Sequence, residues 1–164
     1  VLGRIPDGEI RDALLLTVNE GGRSISAEAL DEAVGVIDGF PYMMQLVGYR
    51  MWAENPRSEQ IALADARHGI ELAKREMIEG ILEYTYRELS DGDKRFLAAM
   101  LPDSQDSSLA AISRRMGVKS NYASQYKRRL LAQGVIGEYS KGYVRFDMPV
   151  FRDYLEQRLK EEQE

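Results

Sequence analysis

Asn121, Gln125 and Arg128 are spaced by four and then three residues, so on a helix they project from one side. Their chemistry suits base reading. Asn and Gln each present a paired donor and acceptor that match adenine, and Arg presents a fork of donors that matches guanine. Lys119 and Arg129 stand in the same stretch where they could neutralise phosphates, and Lys141 and Arg145 further on could reach a neighbouring groove or backbone. The surrounding block, 108–134, holds six basic residues (Arg114, Arg115, Lys119, Lys127, Arg128, Arg129) and no acidic one. Residues 1–107 carry 11 basic against 20 acidic residues, and 135–164 carry five against seven, so the net charge of -5 conceals one cationic island. DNA contact is the first reading of that island. The alternatives are that the same face docks on another protein, or that its charges only solvate an exposed helix.

Catalytic chemistry has little to work with. There is no Gly-x-x-x-x-Gly-Lys-Ser/Thr phosphate loop and no apolar strand ending in paired acids, so ATP hydrolysis is not expected from this stretch alone. With no cysteine and a single histidine, His68, no thiolate nucleophile, disulfide or Cys/His metal site is expected. Asp91 and Asp93 read as first-turn acids at a helix start, and Trp52, Met43 and Met44 as core. The chain is therefore expected not to be an enzyme by itself. No apolar run approaches the roughly 20 residues of a membrane span. A cytoplasmic setting with no membrane partner is the expectation, and the opening Val1-Leu2-Gly3-Arg4-Ile5-Pro6 reads as the start of a piece of something longer.

The elements that must position these groups are mainly helical. Ile10, Ala13, Leu14 and Val18 mark a first helix ended by Gly21-Gly22; Ser26 caps a second carrying Leu30, Val34 and Ile37, with Gly39 as terminator. Pro41 opens a third that runs to Asn55-Pro56 and is apolar enough to expect cover over most of its circumference. After a polar stretch, 55–60, a long helix spans about 65–89 on Ile70, Ala73, Met77, Ile81 and Tyr84. Ser90 caps the next helix, with Phe96, Leu97, Met100 and Leu101 before Pro102. Leu109, Ile112 and Met116 mark another, ended by Gly117, and Ala123, Tyr126, Leu130 and Leu131 the inward side of a third, ended by Gly134. Val135-Ile136, Tyr139 and Tyr143–Phe146 flank Ser140-Lys141-Gly142 as a β-hairpin; Pro149 restarts a helix, and the acidic 161–164 reads as a frayed tail. The expected organisation is a helical lid-like module (1–63), a connecting helix (64–89), a winged helix-turn-helix domain with a small hairpin wing (90–160) and a tail.

The run Leu109-Ala110-Ala111-Ile112-Ser113-Arg114-Arg115-Met116-Gly117-Val118, then Ala123 to Leu130 and Gln133-Gly134-Val135-Ile136, resembles winged helix-turn-helix regulators of bacteria and archaea. Gly39-Phe40-Pro41-Tyr42-Met43-Met44-Gln45-Leu46-Val47-Gly48, followed by a long helix and then that domain, resembles the helical lid of AAA+ and STAND ATPases, including archaeal origin-recognition initiators. The resemblance implies a parent ATPase that binds ATP or ADP in an upstream core, with Gly39 and Pro41 against the nucleotide and no cofactor in this stretch alone. Many AAA+ members carry a γ-phosphate-sensing arginine next to that proline, where this chain has Tyr42. Two other readings stay open: a winged helix that serves as a protein-interaction or autoinhibitory module, and a free-standing transcription regulator.

Overall fold

A computed structural model describes residues 3–164, in two compact units, Val1–Gly80 and Ile81–Glu164. Val1 and Leu2, the first residues of the opening read above, lie outside the described residues. Both units are mainly helical.

In the first unit, α1 (Asp7–Glu20) turns Ile10, Leu14 and Val18 inward at a spacing of four. It stops where Gly22 adopts a φ of 82° and the Arg23 amide donates back to the Val18 carbonyl at 3.1 Å. The Ser26 hydroxyl accepts from the Ala29 amide and starts α2 (Ala27–Ile37), whose Ala29, Leu30, Ala33, Val34 and Ile37 are buried. Proline at the first position of α3 (Pro41–Glu54) loses no helical hydrogen bond there. In α3, Met43, Val47 and Met51 are buried and exposure is confined to one stripe, Tyr42, Gln45, Tyr49 and Ala53, so most of its circumference is at least partly covered. A strand pair adds to the expected elements: β1 (Ser24–Ile25), between α1 and α2, pairs in parallel with β2 (Gln60–Ile61), at the end of the polar stretch. Two-residue strands are too short to show a period of two.

Gly69 allows a close approach of two helix backbones in this unit. It lies in α4 (Leu63–Met77) where a Cβ would stand 2.8 Å from the Arg50 carbonyl carbon and the Met51 nitrogen of α3. The expected long helix over about 65–89 is a continuous helical run, α4, a π turn at Ile78–Leu82 and α5 (Glu83–Arg87). The unit boundary falls inside that π turn, so the connecting helix is shared between the units.

The second unit places α6 (Asp91–Ala98), α7 (Leu109–Met116) and α8 (Ser120–Ala132) ahead of a hairpin, β4 (Ile136–Ser140) and β5 (Tyr143–Phe146), with α9 (Phe151–Gln163) last. Ser107–Ser108, which belong to none of the expected elements, form a short strand β3 that pairs antiparallel with β5, giving the order β3-β5-β4. Phe96, Leu97, Met100, Ile112, Leu130, Val144, Phe151 and Leu155 are buried. Two readings of the end are corrected. The last helix begins at Phe151 rather than Pro149, because Val150 sits at a φ of 69°, outside helical geometry. The tail is helical to Gln163, because Glu162 accepts from the Tyr86 hydroxyl at 2.7 Å and from Lys94 at 3.1 Å.

Two glycines give opposite expectations. Gly69→Ala should lower stability by about 1–3 kcal/mol through overpacking, whereas Gly35→Ala, in α2 with open space around its Cβ direction, should raise it by about 0.5–1 kcal/mol. Urea unfolding of both variants checks this, and a neutral Gly69→Ala would refute the close α3–α4 approach.

Candidate nucleic-acid interface

Positioning of α8 begins at the start of α6. Ser90 and Asp93 form a reciprocal capping box: the Asp93 amide donates to the Ser90 hydroxyl at 3.0 Å and the Ser90 amide to the Asp93 carboxylate at 2.9 Å. Asp93 is only 1% exposed, and Arg129 of α8 reaches it with two guanidinium nitrogens at 2.5 and 3.2 Å while also donating to Ser90 at 2.9 Å. The Tyr126 ring lies directly against Gly92, where any Cβ would collide with it. Thus α8 is held on the α6 N-terminus by a charge pair and an aromatic contact. Gly117, at a φ of 70°, reverses the chain between α7 and α8, and the Val118 amide closes the turn on the Ser113 carbonyl at 3.0 Å.

The wing is tied to α8 through Glu138. Its carboxylate accepts from Lys127 at 2.5 Å and from the Gly142 amide of the hairpin turn at 3.0 Å, linking helix, strand and turn at one group. Those bonds, Lys127 first, hold the Glu138 pKa below the ordinary range.

This frame leaves Asn121, Tyr122, Gln125, Arg128 and Arg129 exposed along one side of α8, with Lys119 exposed at its N-cap. Asn121, Gln125 and Arg128 do share that side. Lys141 is exposed in the hairpin turn, and Arg145 on β5 is half-buried with its guanidinium 6.0 Å from the Tyr139 ring centroid. Arg129, expected at phosphates beside Lys119, is already engaged by Asp93.

The cationic block is unequally neutralised. Arg115 pairs with Asp103 at 2.6 Å and donates to the Ala99 carbonyl at 2.8 Å; Lys127 pairs with Glu138, and Arg129 with Asp93. Arg114, Lys119 and Arg128 are exposed, with no hydrogen-bond or ion-pair partner among the described residues. Of the three carboxylates, the sequence marks only Asp93, as a first-turn acid. Asp93 carried a signal as the third residue after a serine cap, but nothing local showed its second role, and Asp103 and Glu138 carried none.

In the first unit Gly39 is buried at a φ of 76°, its carbonyl accepts from the Ile5 amide at 2.8 Å, and a Cβ there would sit 3.0 Å from the Arg4 side chain. Arg4 in turn pairs with Asp38. The turn and the Arg4–Ile5 segment account for this glycine. Pro41 is half-buried at the start of α3. No helix of the described residues is long and apolar enough to cross a membrane.

Residues 79–155 match a family model described as "Domain of unknown function (DUF8462)". No curated protein matches the chain. Among solved structures it is similar to the Thermotoga maritima RuvB Holliday junction branch migration motor, at 16% identity and a TM-score of 0.42 over 97% of this chain and 50% of that one. A mutant of the same Thermotoga maritima protein matches at 15% identity with the same coverage and TM-score. The chain spans about half the length of these structures.

Two outcomes test the charge assignment. Arg129→Ala should destabilise by about 1–3 kcal/mol by leaving the buried Asp93 unpaired, while Arg128→Ala should stay within about 0.5 kcal/mol of wild type, both read by urea unfolding. The Arg115 guanidinium, followed by the Ser107 hydroxyl, holds the Asp103 pKa at about 2. Because that value is depressed, the pair's stabilisation is present above the ordinary carboxylate range near 3.9 and is lost as pH falls toward 2. In a carboxyl-carbon NMR titration, Arg115→Ala should move the Asp103 midpoint up toward that range. An unmoved midpoint would remove the pair from the account.

Proposed function

We propose that residues 81–164 bind duplex DNA, with α8 in the major groove and the β4–β5 wing against the flanking backbone, as the C-terminal part of a nucleotide-driven ATPase. The observation that carries this reading is the division of the cationic block: three cations satisfy internal carboxylates, and Arg114, Lys119 and Arg128 stay free on the surface. Arg128 shares its side of α8 with the exposed amides of Asn121 and Gln125, so charge and base-reading groups coincide. Lys141 adds a fourth exposed cation on the wing. The first turn of α8, which has no side-chain cap, adds the favourable end of a helix dipole for a phosphate.

In this reading the first unit is the lid of the parent ATPase, supported by the Gly39-Phe40-Pro41 turn ahead of α3 and by the order of helices that follows it. ATP or ADP is held by an upstream core domain, the second partner, with Gly39 and Pro41 of this chain against the nucleotide. Nothing about hydrolysis is assigned to this chain.

A titration of duplex DNA at two salt concentrations tests the interface. Affinity should fall as salt rises, and Lys119→Ala or Arg128→Ala should each reduce the logarithmic salt slope by about 1, whereas Gln125→Ala should weaken binding with the slope unchanged. No binding at low salt, or wild-type slopes in both lysine and arginine variants, would replace DNA with a protein partner.

A further inference from the structure

The wing carries two large exposed aromatics that the duplex reading leaves unused. Tyr139 is 55% exposed and Tyr143 is 47% exposed. Side chains alternate along β5, so Tyr143 and Arg145 share one face while Val144 and Phe146 are buried on the other. Arg145 pairs across the hairpin with Gly137, and cross-strand partners share a face. The Tyr139 ring lies over that same Gly137, where a Cβ would meet it at 2.5 Å, and the Arg145 guanidinium stands beside the ring. Tyr139, Tyr143 and Arg145 therefore occupy one outward face. The Tyr139 hydroxyl donates to Asp147 at 2.6 Å, which fixes the ring and engages that carboxylate, and Glu138 is engaged by Lys127 and the Gly142 amide. Lys141 stands between the tyrosines in sequence, exposed in the turn.

Two exposed rings on one face, Tyr139 held in place and Tyr143 beside the cations, suit the flat face of an unpaired nucleobase on a phosphate backbone, a surface that closed duplex does not offer. We infer that the outer face of the wing is a stacking platform for unpaired bases, so that the preferred ligand is DNA with a single-stranded segment leaving a duplex. This rests on the DNA reading above and adds to it what kind of DNA end the wing selects. Gly137 is a specificity-determining position in this arrangement, because it gives the Tyr139 ring its resting place.

The test compares a closed hairpin duplex with the same duplex bearing a single-stranded tail whose first unpaired base is 2-aminopurine, using the full chain and fluorescence anisotropy. Wild type should bind the tailed DNA roughly tenfold tighter and quench the 2-aminopurine as the base stacks. Tyr143→Ala, which removes a ring, and Gly137→Ala, which displaces one, should abolish the preference and the quenching, leaving each variant with equal affinity for the two DNAs. Tyr143→Trp should retain both. Equal wild-type affinity for the two DNAs, or a preference that survives both Tyr143→Ala and Gly137→Ala, would overturn the platform and leave duplex binding standing. Failure to bind either DNA would overturn the duplex reading and the platform together.

Discussion

Asp93 is an anion held beneath the surface of the second unit, and a buried carboxylate is tolerated only where donors surround it. It receives the backbone amide of Ser90 and the guanidinium of Arg129, which also bonds the capping hydroxyl of Ser90. One side chain thus ends α6 correctly and anchors α8 to it. The orientation of every exposed group on α8 follows, because a helix fixed at Arg129 and packed through Ala123 and Leu130 has only one face left for solvent. The candidate interface is the complement of that anchor.

The same logic extends to the wing. Lys127 leaves the cationic block to meet Glu138, and Glu138 also gathers the amide of the hairpin turn, so helix and hairpin share one polar node. Arg115 does the equivalent for the loop after α6 by pairing with Asp103. A block that would repel itself in isolation is divided by the fold into cations that fasten elements and cations that face outward. Stability and ligand attraction therefore draw on different members of one charge cluster.

The first unit is organised by close approaches instead of by charge. Gly69 brings the backbones of α3 and α4 together, and Gly39 bends the chain so that the Ile5 amide can bond its carbonyl. Arg23 stacks 4.7 Å from the Trp52 ring and donates to the carbonyls of Trp52, Asn55 and Ser58, closing the end of α3 onto the segment before β2. Each glycine is required by a neighbour distant in sequence.

Local signals in the sequence determined the caps at Ser26 and Ser90, the helix stops at Gly22, Gly117 and Gly134, the hairpin turn at Gly142, and the apolar stripes of α1, α2 and α8. Such signals act within one turn of chain, so composition and spacing express them directly. They also put Asn121, Gln125 and Arg128 on one side of α8. Tertiary structure alone decided which basic residues remain free, since Asp93, Asp103 and Glu138 lie 36, 12 and 11 residues from the cations they bind. It also decided the strands β1, β2 and β3, whose two-residue pairings have no period of their own, and the partial exposure of α3, which depends on how many neighbours reach it. Capping and periodicity are written in adjacent residues; pairing and burial arise only when distant residues meet.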